Sequence, residues 1–172
     1  MFDPTAYENL KVVLEGNVYD FDLEGKIVVI ERNDIVNLAD LSRSFTITYR
    51  INNEFRTYTE TKIELFSSFK QQASEWYSLK EEAGANLKLY YYIHHPLNEI
   101  LEKRVLKFIK QKYMRDFTME SCKLIYSDQT INYRYVLEKN YLLTEDKIDE
   151  ITNFVVDTTT FSTELEEMIL KK

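Results

Sequence analysis

The spacing of hydrophobic positions changes rhythm several times along this chain. Ala6, Tyr7, Leu10, Val13 and Leu14 recur every three or four residues, which predicts a helix capped by Asp3 with Pro4 in its first turn. Gly16 reads as the stop of that helix. From Val18 to Arg32 the period falls to two, with a turn at Glu24-Gly25, the pattern of a β-hairpin. Residues 33–42 read as a loop. Phe45, Ile47, Tyr49 and Ile51 then alternate with polar residues, Asn52-Asn53 suits a turn, and Phe55 to Thr59 reads as the return strand.

Thr61 and Glu64 have the spacing of a capping box, followed by a helical stripe of Ile63, Phe66, Phe69, Ala73, Trp76 and Tyr77. Gly84 and Asn86 mark a break. Leu87 to His95 is a strand with apolar residues on both faces, which predicts a central place in a sheet. Pro96 opens a helix that reaches Met114. Strands over Met119 to Tyr126 and Ile131 to Glu138 flank a turn at Ser127-Asp128-Gln129. Thr144 opens a last helical region, which either runs to Leu170 or breaks at the threonines after Asp157. The order is helix, two hairpins, helix, strand, helix, hairpin, helix. Hairpins rather than repeated parallel crossovers predict an α+β fold with a mainly antiparallel sheet. A length of 172 residues fits one domain, with residues 83–86 as the place for a subdomain division.

Composition narrows the chemistry. The chain has 3 Gly, 1 Cys and 2 His against 13 Tyr and 10 Phe, so it is poor in what builds reactive centres and rich in what builds cores and contact surfaces. It contains no glycine-rich phosphate loop, nucleophile elbow, paired-cysteine motif or zinc-protease motif. Cys122 has no partner for an intrachain disulfide and reads as a small core residue. The chain shows neither a secretory leader nor an apolar run long enough for a membrane span, which places the expected location in the cytoplasm without membrane attachment.

A net charge of −7 argues against nucleic acid as a partner. The charge is uneven, with net −6 over residues 1–40, +4 over 97–115 and −5 over 144–172.

Four constellations are candidates for function. Asp20, Asp22, Glu24 and Glu31 follow the spacing of a calcium loop, although the strand rhythm of their neighbours argues for a hairpin with solvated acids. His94, His95 and Glu99 lie where a strand meets a helix N-terminus, a place suited to acid–base chemistry or to an anion. As neighbours on a strand, the two histidines are expected on opposite faces. Lys103, Lys107 and Lys110 share one side of a helix, a basic face that would grip phosphates or be met by the acids of the C-terminal segment. Phe154, Phe161, Leu165 and Met168 belong to a C-terminal seam with coiled-coil-like spacing, suited to a partner or a second copy, or to packing on the chain's own sheet. Tyr90, Tyr91 and Tyr92, with Tyr133 and Tyr135, would make a stacking platform or ordinary cross-strand pairs.

The sequence therefore points to a non-enzymatic, cytoplasmic interaction or regulatory domain, self-associating as a homodimer or binding another protein, with no cofactor. The alternative is a small-ligand or anion-binding protein or enzyme using the His94–Glu99 corner. Nucleic-acid binding through the basic helix comes third.

Overall fold

A computed structural model describes residues 5–53, 56–77, 79 and 82–171. Six strands, β1 (Ile27–Asn37), β2 (Ser42–Ile51), β3 (Thr59–Ser67), β4 (Asn86–Ile93), β5 (Phe117–Ile125) and β6 (Ile131–Lys139), form an antiparallel sheet in the order β1-β2-β3-β4-β6-β5. Four helices join them: α1 (Ala6–Leu23), α2 (Phe69–Trp76), α3 (Glu99–Tyr113) and α4 (Ile148–Leu170). The α+β class and the antiparallel pairing agree with the sequence reading. β4 is central, between β3 and β6.

Alternation along the strands gives the sheet two unlike faces. Phe45, Ile47 and Tyr49 of β2, Thr61, Ile63 and Leu65 of β3, Leu87, Leu89 and Tyr91 of β4, and Tyr133, Tyr135 and Leu137 of β6 are buried on one of them. Helices α1, α3 and α4 pack against this inner face. The Phe161 ring of α4 lies 5.2 Å from Tyr91, 4.4 Å from Phe108 and 5.2 Å from Tyr113. The Tyr91 and Tyr113 hydroxyls meet at 2.7 Å. The opposite face, which carries Thr48, Glu60, Lys62, Tyr90, Tyr92 and Arg134, has no helix over it among the described residues.

Gly16 does not stop α1. The helix runs on to Leu23 and ends at Gly25, whose φ is +72°. There the Gly25 N–H donates to the Asp22 carbonyl at 2.9 Å, and the Lys26 N–H donates to the Phe21 carbonyl at 3.0 Å, the paired bonds of a Schellman end. The expected hairpin over Val18 to Arg32 is thus the last turns of α1 and the start of β1. The Asp3–Pro4 opening lies outside the described residues, and the observed cap is Thr5, which accepts from the Glu8 N–H.

The expected loop over 33–42 is largely strand, because β1 and β2 pair from Ile27↔Ile51 to Asn37↔Ser42. A bulge between Val29 and Glu31 shifts the side-chain phase. It turns Arg32 toward Glu15 and Asp34 toward Lys11, both on α1. Lys11 bonds Glu8 at 2.7 Å and Asp34 at 2.8 Å, and Arg43 pairs with Glu8 while its guanidinium lies 4.7 Å from the Tyr7 ring centre. Burial raises the Glu8 pKa, but the bonds from Lys11 and Arg43 outweigh it and hold this carboxyl below its usual range.

Thr61 opens no helix. It sits in β3, where Thr59, Thr61, Ile63 and Leu65 alternate inward. The real capping box is Ser68 with Gln71, at the start of α2. The expected return strand begins at Phe55, outside the described residues, and the observed strand begins at Thr59. Helix α3 begins at Glu99 behind an Asn98 cap rather than at Pro96.

Helix α4 is continuous through its threonines. Thr158, Thr160, Ser162 and Thr163 each donate to the carbonyl four residues back, so these four hydroxyls are satisfied within the helix. Ser162 also meets Thr61 at 2.7 Å. One turn on, Glu166 is 2% exposed and accepts from the Tyr58 N–H, the Thr59 N–H and the Thr59 hydroxyl. This carboxylate fastens the helix to the first residues of β3.

Two stability measurements check this account. A Cβ on Gly16 meets nothing within 4 Å. Gly16→Ala therefore raises stability by about 1 kcal/mol, seen as a higher denaturant midpoint. Glu166→Ala leaves two buried N–H groups without their acceptor and lowers stability by about 3 kcal/mol in the same assay.

Candidate functional site

The uncovered face of the sheet is organised around β4. Tyr90, Tyr92 and His94 project there in sequence, with ring centres 6.2 and 6.3 Å apart and planes parallel within 5°. Cross-strand register places Glu60 and Arg134 on either side of Tyr92, and Lys62 and Val136 on either side of Tyr90. The reading of β4 as apolar on both faces needs refinement: Tyr91 is buried inward, while Tyr90 and Tyr92 stand half-buried on the open side.

The acids of this face are largely engaged. Glu60 faces His94 Nε2 at 3.2 Å. Glu64 accepts from the Tyr90 hydroxyl at 2.6 Å and the Ser44 hydroxyl at 3.0 Å. Glu138 pairs with Lys88 at 3.2 Å. Burial and the bond to Glu64 both raise the Tyr90 pKa, which keeps the phenol protonated as the donor. Burial also raises that of Tyr92; Arg134 pulls the other way, and Glu64, Glu60 and Glu31 add to the rise.

The cations are less engaged. Lys62 lies 5.5 Å from the Tyr90 ring centre, and among the described residues neither Lys62, Arg50 nor Arg134 takes part in an ion pair. An open cavity of about 310 Å³ crosses the strands here, lined by residues that include Glu31, Glu60, Lys62, Tyr92, His94, Asn132 and Arg134. Asn132 Oδ1 is buried and has no hydrogen-bond partner among the described residues. A wider depression of about 620 Å³ lies at the other end of the sheet. Its polar groups bond one another, Gln71 to Asn86 at 2.6 Å and Lys70 to Glu82 at 3.0 Å.

The residues singled out from sequence are scattered through this structure. His94 points to the open face, while His95 packs its ring 4.5 Å from that of Tyr58. Glu99 is exposed in the first turn of α3, and the partner of His94 is Glu60, a β3 residue that sequence reasoning missed. Its only signal was the alternation of β3, which is legible once that segment is read as a strand.

Asp20 and Asp22 lie within α1 and Glu24 caps its end, so these three form no loop. Asp22 accepts from the Val29 N–H at 3.0 Å, Glu24 pairs with Lys26 at 2.7 Å, and Glu31 stands beyond the bulge opposite Thr48. Among the described residues no three carboxylates, histidines or cysteines gather as a metal site.

Phe161 and Leu165 are fully buried against the inner face, and Phe154 and Met168 pack beside them, so the C-terminal seam is this chain's own core. Lys103, Lys107 and Lys110 are exposed on α3; farther along, Lys112 meets Asp157 of α4 at 3.2 Å. Cys122 is exposed on β5 opposite Arg134, not in the core. Among the described residues no helix is long and apolar enough to cross a membrane.

Comparison with known proteins returns no matching family model, no similar curated protein and no similar solved structure. The reading of the site rests on its geometry.

The position of Cys122 is open to direct measurement. In the folded protein its thiol reacts with a water-soluble thiol reagent as fast as in the denatured chain. A rate that tracks global unfolding would place it in the core instead.

Proposed function

We propose that this chain is a non-enzymatic interaction domain that engages a protein partner through the open face of its sheet. The observation that carries the reading is the asymmetry of the sheet: three helices cover one side, while the other presents a row of Tyr90, Tyr92 and His94 flanked by Lys62 and Arg134, with Arg50 exposed farther out on β2. Tyrosine and arginine are the side chains that bind most strongly at protein interfaces, since each offers flat apolar area with polar groups at its edge. The carboxylates beside them are held by internal bonds, so the face is ordered before contact.

A surface of this kind also accepts a second copy of the chain. Partner and copy are distinguished by sedimentation of the purified protein over a concentration series. The site itself is tested by affinity capture from the native extract with the wild type and with the Arg50→Glu, Tyr92→Ala double variant. Both positions lie outside the core, so the variant keeps its fold and its melting temperature. It loses the proteins that the wild type retains or, where the copy is the partner, the dimer. Recovery of the same proteins by the variant, or their loss only on Lys103→Glu, Lys107→Glu substitution of α3, overturns the reading.

A further inference from the structure

The cavity beside Tyr92 has a chemistry of its own, independent of any protein partner. Among the described residues its lining combines two cations outside ion pairs, Lys62 and Arg134, a half-buried aromatic ring, and a buried amide oxygen, Asn132 Oδ1, without a hydrogen bond. A buried acceptor left unsatisfied costs free energy that a bound donor would recover. Glu60, the nearest acid in the register, faces His94 Nε2 at 3.2 Å. Glu31, also in the lining, is held only by a long 3.5 Å contact from the Thr48 hydroxyl. The lining thus sets two cations, Lys62 and Arg134, beside two carboxylates, Glu31 and Glu60, of which Glu60 is turned to His94. The two cations belong to strands on opposite sides of β4: Arg134 stands across from Tyr92, and Lys62 across from Tyr90, 5.5 Å from its ring centre.

We propose that this cavity binds a small planar anion: a ring that lies against Tyr92, a carboxylate or phosphate between Lys62 and Arg134, and an N–H or O–H that donates to Asn132 Oδ1. The guanidinium fork of Arg134 suits either anion, since both offer two oxygens in one plane. The ring contributes area, and the donor sets orientation. A volume of about 310 Å³ matches one such ring with its substituents and is too small for a polymer.

Heteronuclear NMR titration of the folded protein tests this without any partner. The probes are para-hydroxybenzoate and adenosine monophosphate, with para-hydroxybenzamide and adenosine as their neutral counterparts and inorganic phosphate as the anion without a ring. The expected result is chemical-shift change centred on Tyr92, His94, Asn132 and Arg134 for at least one ring-bearing anion. Its neutral counterpart binds about tenfold more weakly, and Arg134→Gln weakens the anion by a similar factor at unchanged melting temperature. Which of the two anions binds tells a carboxylate site from a phosphate site. Silence of this face toward both anions at millimolar concentration, equal binding of the neutral counterparts, or indifference to Arg134→Gln overturns the proposal. Equal binding of phosphate alone overturns the role of the ring. The partner reading stands or falls separately, by capture.

Discussion

The burial of α4 on the inner face of the sheet is the constraint on which the remaining features hang. Phe161 sits among three rings from β4 and α3, Ser162 meets Thr61, and Glu166 holds the backbone of Tyr58 and Thr59. Ser162 and Glu166 stand one helical turn apart, and Phe161 adjoins Ser162 on the buried side of α4, so together they set its rotation as well as its position. The apolar part supplies most of the driving force, while the hydroxyls and the carboxylate supply register, because each finds a partner in only one alignment. Tyr49 lies in the same seam, fully buried, with its pKa pushed up to about 12 by loss of solvent, so it remains a neutral phenol at any ordinary pH.

With three helices committed to one face, the other face is left to the alternate residues of the same strands. Their character follows from register. Pairing across β3, β4 and β6 brings Glu60, Tyr92 and Arg134 into one row, and Lys62 and Tyr90 into the next. Opposite charges facing across strands, with aromatic residues between them, make a surface that is ordered yet wet. Among the described residues the same register leaves Lys62 and Arg134 outside ion pairs, while Glu60, Glu64 and Glu138 find donors. The site is a remainder of sheet construction: what the core does not consume and the neighbouring strands do not neutralise.

The places where sequence reading slipped have one physical cause. Gly16 and Gly25 look alike in a string, but only Gly25 has a positive φ, and only there do the helix's last carbonyls find new donors. Thr61-x-x-Glu64 and Ser68-x-x-Gln71 are both capping boxes by spacing. The first loses because Thr61 and Ile63 bury themselves as alternate strand residues, a gain available only when β2 and β4 lie on either side. The threonine run looked like a break in α4 because threonine competes for backbone bonds, yet the Thr158 and Thr160 hydroxyls bond back within the helix, and the burial of Thr158 and Thr159 holds the run in place. Cys122 was taken for core on a pattern of alternation, but β5 is an edge strand and both its faces are largely exposed.

By itself the sequence determined the class of fold, the antiparallel pairing, the central place of β4 and the opposition of the two histidines, since these follow from local periodicity and turn chemistry that each segment carries alone. Which side of the sheet the helices cover, where α1 ends, and which charges remain unspent were decided only by the tertiary structure. Those properties depend on what lies across a strand or under a helix, and residues as far apart as Tyr58 and Glu166 become neighbours only when the chain closes on itself.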